Sequence, residues 1–367
     1  RSGLFPQVGA GYEASRQRNI PSGAVDPSTY NSYSAVLNAS WEIDIWGRIR
    51  RQTEAANAQL LASEEGRQGV ILSLVGSVAG AYVNLRNLDR QLEIAKATAK
   101  SRGESYELFK LRFEGGVISV LELSQNKSQY EEALATIPPL EKAVAKQENG
   151  LSVLLGRNPG PIARGKRLTE LSTPAVPEGL PSDILTQRPD VVSAEQALIA
   201  ANARVSAARA LYFPTISLTG LLGVASLDLG NLFDGGSDTW RYAGQVTGPI
   251  FQGGANVGIN EQADARHAAL LANYERTVQR AFADVDDALI ATQMTTERTV
   301  AQRAQVEALR DYARLSRKRF EGGYSSFLEV VDADTSLFNA ELLYSQGQRD
   351  RLLAHVDLYK ALGGGWV

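Results

Sequence analysis

The chain has 367 residues, with 38 Lys and Arg against 41 Asp and Glu, two His and no Cys. A net charge of -3 leaves no polycationic footprint for nucleic acid. The lack of Cys excludes disulfides, thiolate zinc sites, iron–sulfur clusters and thiol nucleophiles. His267 and His355 alone do not suggest a His-rich metal site or a Ser-His-Asp triad, so no catalytic residue, metal or cofactor is expected. The length suggests about two domains, and composition alone reads as a soluble globular protein. The uncharged run Ala210–Leu227 contains Pro214, Gly220 and Gly223, a poor membrane-spanning helix, and no transmembrane helix is expected. The chain opens on Arg1-Ser2-Gly3, which reads as internal to a longer protein.

In chain order, the first element is a strand hairpin over residues 5–46. Val8, Ala10, Tyr12 and Ala14 alternate with polar residues and Gly. Tyr33, Ala35, Leu37, Ala39, Trp41, Ile43 and Ile45 then alternate with a set that only Val36 breaks. Period 2 with one apolar face is a strand signature. A long helix is expected over 47–113, about 100 Å at 1.5 Å per residue. Within it Ile71, Leu74, Val78, Ala81, Leu85, Leu88, Leu92, Ala95 and Ala99 form a 3-4 heptad seam. Gly115-Gly116 suits a helix stop. A return helix comes next over 119–156, interrupted by Pro138-Pro139, then a Pro- and Gly-rich linker over 157–181 and a helix over 182–212.

The pattern then repeats. A second hairpin spans 213–251, with Ile216, Leu218, Leu222 and Val224 on one face and a last strand from about Trp240 to Phe251. A long helix over 253–320 reaches Gly322-Gly323, and a return helix covers 326–363. Arg112-Phe113-Glu114-Gly115-Gly116 recurs as Arg319-Phe320-Glu321-Gly322-Gly323, and Leu155-Gly156 as Leu362-Gly363. The chain is read as a duplication, with repeats over 1–207 and 208–367. Helices 119–156 and 182–212, stacked, match one long outbound helix. The second return helix lacks such a partner, so a helix of about 30 residues is expected to precede Arg1 by the same length matching.

Four strands with one apolar face cannot close a membrane barrel, because open edges do not face lipid and known barrels need at least eight strands. Three copies would supply twelve strands and twelve helical lines. The expected fold class is therefore mostly α with a membrane β-barrel portion, a homotrimer forming a 12-stranded β-barrel continued by a 12-helix α-barrel tunnel. Aromatic belts support it: Phe5, Trp46, Phe213 and Phe251 at one barrel end, and Tyr30, Tyr33, Trp240 and Tyr242 at the other. Arg48, Arg50 and Arg51 come after the second strand, as phospholipid contacts or as a solvated helix face. A soluble coiled-coil scaffold with a sheet core is the alternative to a membrane duct.

The stretches Leu4-Phe5-Pro6, Trp41–Arg48, Gly179–Asp183, Gln187-Arg188-Pro189-Asp190, Phe213–Thr219 and Leu358–Trp366 resemble the TolC-like outer-membrane factor family, of the OprM type. The resemblance covers the whole chain. Pro138-Pro139 departs from the family pattern, and the region where a lipid-modified Cys often sits lies before Arg1.

The resemblance implies a passive exit channel of a tripartite efflux pump, not an enzyme, in the outer membrane of a Gram-negative bacterium, with its tunnel in the periplasm. It would carry drugs or other small molecules. Implied partners are two further copies of the chain, outer-membrane lipid, a periplasmic adaptor protein and an inner-membrane pump of the resistance-nodulation-division class, with no nucleic acid. A type I secretion duct is the alternative within the same architecture. The adaptor would dock at the tips, at Arg112, Gly115, Gly116, Arg319, Gly322 and Gly323. Leu328 and Asp332, at i and i+4 on one helix face, match positions that line the closed periplasmic aperture in the family. Leu121 and Gln125 stand at the corresponding places in the first repeat. Asp334, on another face, is expected to be solvent-exposed.

Overall fold

The structure is a computed structural model, and it describes residues 2–19, 28–172 and 184–364. The elements are β1 (Gln7–Asn19), β2 (Ser28–Ile43), α1 (Arg48–Glu114), α2 (Val120–Leu154), a short α3 (Ile184–Gln187), α4 (Pro189–Arg209), β3 (Thr215–Ser226), β4 (Asp238–Thr247), α5 (Ala255–Glu321) and α6 (Phe327–Ala361). The duplication is visible in their lengths: α1 and α5 have 67 residues each, α2 and α6 35 each. The Gly179–Asp183 motif, part of the 157–181 linker and residues 365–367 lie outside the described residues.

Glycine ends all four of these helices in one way. Gly116, Gly156, Gly323 and Gly363 have φ of 73, 68, 75 and 87°. At α1, the amide of Gly116 donates to Phe113 O and that of Val117 to Arg112 O. At α5, Gly323 donates to Phe320 O and Tyr324 to Arg319 O. This pair of bonds reaching back over a left-handed residue satisfies carbonyls that the helix end leaves open.

One expectation fails in α2: Pro138 and Pro139 sit inside an unbroken helix. Both are exposed, as are Leu134 and Ala135, whose carbonyls the two prolines leave without an intrahelical donor. Water can reach those carbonyls. The flanking Ile137 and Leu140 pack on a cluster of Ile94, Ala95 and Phe338. Packing on one side and solvation on the other offset the lost hydrogen bonds.

The chain divides into two compact units that each take part of both repeats. The first comprises Arg1–Glu65 and Val192–Thr277. It holds one antiparallel sheet of order β1-β2-β3-β4, and its helical segments meet through small residues, Ala55 and Ala58 against Ala200 and Ala203. Two indoles tie the sheet to its flanking segments. Trp46 stacks on Phe213 at 4.6 Å and donates to Pro214 O at 2.7 Å, and Trp41 donates to Leu4 O at 3.1 Å.

The second unit comprises Gly66–Val191 and Val278–Val367. The heptad seam of α1 is buried at Leu85, Ala95 and Ala99, while Ile71 and Leu74 stay exposed. A buried polar step, Ser345 Oγ donating to Asn87 Oδ1 at 2.8 Å, fixes α6 against α1. One 18-residue window in α1 has mean hydropathy 1.4, apolar and long enough to cross a membrane, and only 17% of it is buried. Val70, Ile71, Leu74 and Val75 are exposed apolar residues in this helix.

Candidate functional site

The strand register sorts side chains onto two faces. Direct cross-strand partners share a face. Val8, Ala10, Tyr12 and Ala14 pair with Ala39, Leu37, Ala35 and Tyr33. On the other side of β2, Ala35, Leu37, Ala39, Trp41 and Ile43 pair with Val224, Leu222, Gly220, Leu218 and Ile216. These in turn meet Asp238, Trp240, Tyr242, Gly244 and Val246. One face of all four strands is therefore apolar almost throughout, and it is open: Val8, Tyr12, Leu37, Leu222, Trp240, Tyr242 and Val246 are exposed. The opposite face carries Glu13, Asn38, Glu42, Ser217, Arg241 and Gln245.

Phe5, Trp46, Phe213 and Phe251 all lie at the sheet end from which the helices leave, just outside β1 to β4. The opposite belt is corrected in two places. Tyr30 pairs with Gln17 and donates to its Oε1 at 3.4 Å, on the polar face. Positions 30 and 33 differ by an odd number, so only Tyr33 can share the apolar face. Trp240 and Tyr242, stacked at 5.6 Å, are on the apolar face but level with Leu37 and Ala39 in mid-sheet. The cause is hairpin length: β4 begins at Asp238 opposite Val224, well short of the loop end of β2. Arg48, Arg50 and Arg51 are ion-paired with Glu42, Asp44 and Glu54 at 2.6, 3.3 and 2.6 Å.

At the helical tips, the structure brings both Arg-Phe-Glu-Gly-Gly turns to one aromatic cluster. Phe109, Phe327 and Val330 are buried, and Ile118, Leu123, Phe320 and Val331 pack on them. Arg112 lies over the Phe109 ring, 6.0 Å from its centroid, and Arg319 pairs with Glu329 at 3.5 Å. Gly115, Gly116, Gly322 and Gly323 form the exposed turns. Of the aperture pair on α6, Leu328 and Asp332 are both exposed. The Tyr312 hydroxyl donates to Asp332 Oδ2 at 3.3 Å. Desolvation, then the Asp332 charge, holds that hydroxyl above its ordinary range. Asp334, expected in solvent, instead binds Arg317 at 2.8 Å.

Sequence reading missed two groups. Tyr312 and Asp332 lie about equally far from the Gly322-Gly323 turn, so registering α5 against α6 as an antiparallel hairpin would have paired them. Arg188 was noticed only through resemblance. Its mostly buried guanidinium binds Asp190 at 2.7 Å and Asp284 at 2.9 Å and donates to Ala361 O at the end of α6. Burial pushes the Asp190 carboxyl up, but the Arg188 contacts outweigh it and leave it below the ordinary value. Asp287, Asp357 and Lys360 line the same cleft, of about 520 Å³. Among the described residues no cluster of His, Cys, Asp and Glu could hold a metal ion.

A four-stranded open sheet, apolar and exposed on one face, with long helices leaving one end, defines a strand-built membrane channel subunit. The chain belongs to the outer membrane efflux protein family, which it matches over residues 1–157 and 180–364. It is 40% identical to a probable efflux pump outer membrane protein, TtgC, of Pseudomonas putida, over all of this chain and 76% of that protein. It is 35% identical to the cation efflux system protein CusC of Escherichia coli, over 99% of this chain and 78% of that one. The structure superposes on the open state of the MtrE outer membrane channel of Neisseria gonorrhoeae with a TM-score of 0.89 at 34% identity, covering 99% of this chain and 81% of that one. The protein is an outer-membrane exit channel for efflux, mostly α with a membrane β-barrel portion.

Proposed function

We propose that three copies join β1 of one to β4 of the next, closing a twelve-stranded barrel in the outer membrane over a twelve-helix periplasmic tunnel. The tunnel conducts drugs or other small molecules outward without chemistry. A periplasmic adaptor docks at the turns around Arg112, Gly115, Gly116, Arg319, Gly322 and Gly323 and links them to an inner-membrane pump of the resistance-nodulation-division class. The observation that carries the barrel is the single exposed apolar face of a sheet whose edge strands, β1 and β4, are unpaired among the described residues. Lipid covers such a face, and only closure removes such edges. The exposed apolar residues of α1 then lie against a neighbouring copy.

At the tunnel end, three Leu328 side chains form an apolar constriction and three Asp332 carboxylates an acidic ring, which favours cations. Purified protein added to a planar lipid bilayer, with the detergent-solubilised particle viewed by electron microscopy, tests the reading. It predicts stepwise conductance with cation preference and a threefold hollow particle. A compact monomer with no conductance overturns it.

A further inference from the structure

The apolar face of β1 does not end on an apolar residue. Arg16 and Arg18 continue the series of Val8, Ala10, Tyr12 and Ala14, opposite Asn31 and Thr29, at the loop end of the sheet. The two side chains leave one strand on one face, about 7 Å apart. Both are exposed, and neither has a hydrogen bond or ion pair among the described residues. This contrasts with the helix end, where Arg48, Arg50 and Arg51 each hold a carboxylate. Glu13 is on the opposite face of β1, pairing with Ser34. Tyr33, the aromatic on this face, pairs with Ala14, one step below Arg16.

We propose that Arg16 and Arg18 bind the phosphate groups of the outer leaflet's glycolipid, lipid A. The helices leave the opposite, periplasmic end of the sheet, so these arginines stand at the exterior headgroup level. The face below them is the one that contacts acyl chains. A guanidinium with no partner among the described residues, just above an aromatic at that level, meets anionic phosphate rather than hydrocarbon, and its planar fork of donors suits phosphate oxygens. The site rests on the barrel reading, because it needs this face to be the lipid-facing one.

The test uses the full chain reconstituted in nanodiscs, with lipid A and lipid A stripped of both phosphates as the two probes. Bound lipid is counted by native mass spectrometry. Wild type is expected to prefer the phosphorylated probe, and Arg16→Gln/Arg18→Gln to lose that preference by roughly 30-fold, the usual gain from two arginines at an anionic surface. Arg16→Lys/Arg18→Lys keeps the charge and most of the preference, and Arg241→Gln, on the polar face, leaves it unchanged. Equal binding of both probes by wild type overturns the site. So does a double variant that keeps its preference but loses trimer, since the arginines would then pair with a neighbouring copy, at Asp238 for instance. Failure of the wild-type chain to insert overturns the barrel reading itself; insertion without preference overturns only the arginine site.

Discussion

Arg112–Gly116 and Arg319–Gly323 end their helices with the same pair of backward-reaching hydrogen bonds, yet beyond the glycines the two tips diverge. At the first, the Ser119 amide donates to Glu122 at 2.8 Å in a capping box, and Leu108, Leu111, Val117, Val120 and Leu121 are exposed. At the second, Ser326 makes no side-chain cap, and Glu329 turns instead to Arg319 and Ser316. There α5 and α6 are laced by Tyr312–Asp332, Arg317–Asp334 and Arg310–Glu341. A shared motif sets the turn; the residues around it decide whether a tip presents aliphatic surface or a polar web.

The largest effect should ignore this difference. Phe109 is almost fully buried between the two tips, so Phe109→Ala should cost about 3–5 kcal/mol. Amide exchange should rise at both tips; a rise at the first alone would separate them. Gly116→Ala and Gly323→Ala place a Cβ at φ of 73 and 75° and should each cost roughly 1–2 kcal/mol. Unequal losses in thermal unfolding would show that one turn is not held in this geometry. The caps should split the tips. Ser119→Ala should cost about 1 kcal/mol and Ser326→Ala clearly less, because only Ser119 receives the Glu122 amide.

The smallest effect concerns the ion-pair tether of the first return helix. Arg164 binds Asp89 on α1 and Glu148 on α2, and Glu148 also accepts the Ile162 amide. The Arg164 hydrogen bond, the larger cause, and that amide hold Glu148 below its ordinary 4.5. A lowered folded pKa gives stability that is present above the unfolded value and lost as pH falls through the folded one. Residues 157–172 should therefore stay docked from pH 8 to pH 5 and loosen below pH 4.5. Loosening near pH 7, seen by amide exchange, would contradict the tether.

Much of this was legible in sequence because it is local. Strand alternation, the heptad seam and the Gly-Gly turns each depend on a few neighbouring residues. The features that were not legible depend on register between elements. Tyr30 fell on the wrong face by parity, and Trp240 and Tyr242 fell mid-sheet because the second hairpin is shorter. Asp334 found Arg317 only because α5 and α6 pair as they do. Pro138-Pro139 failed as a break because both prolines face solvent. The exposed apolar stretch of α1 went unnoticed because it hides inside a long, mostly polar helix.

The claim that the second tip, and not the first, is the aperture meets its most direct test in single-channel recording. Asp332→Ala should raise the closed-state conductance and reduce cation preference, while Gln125→Ala, at the matching place in the first repeat, should change neither. Equal effects of the two substitutions, or none from Asp332→Ala, would contradict the account.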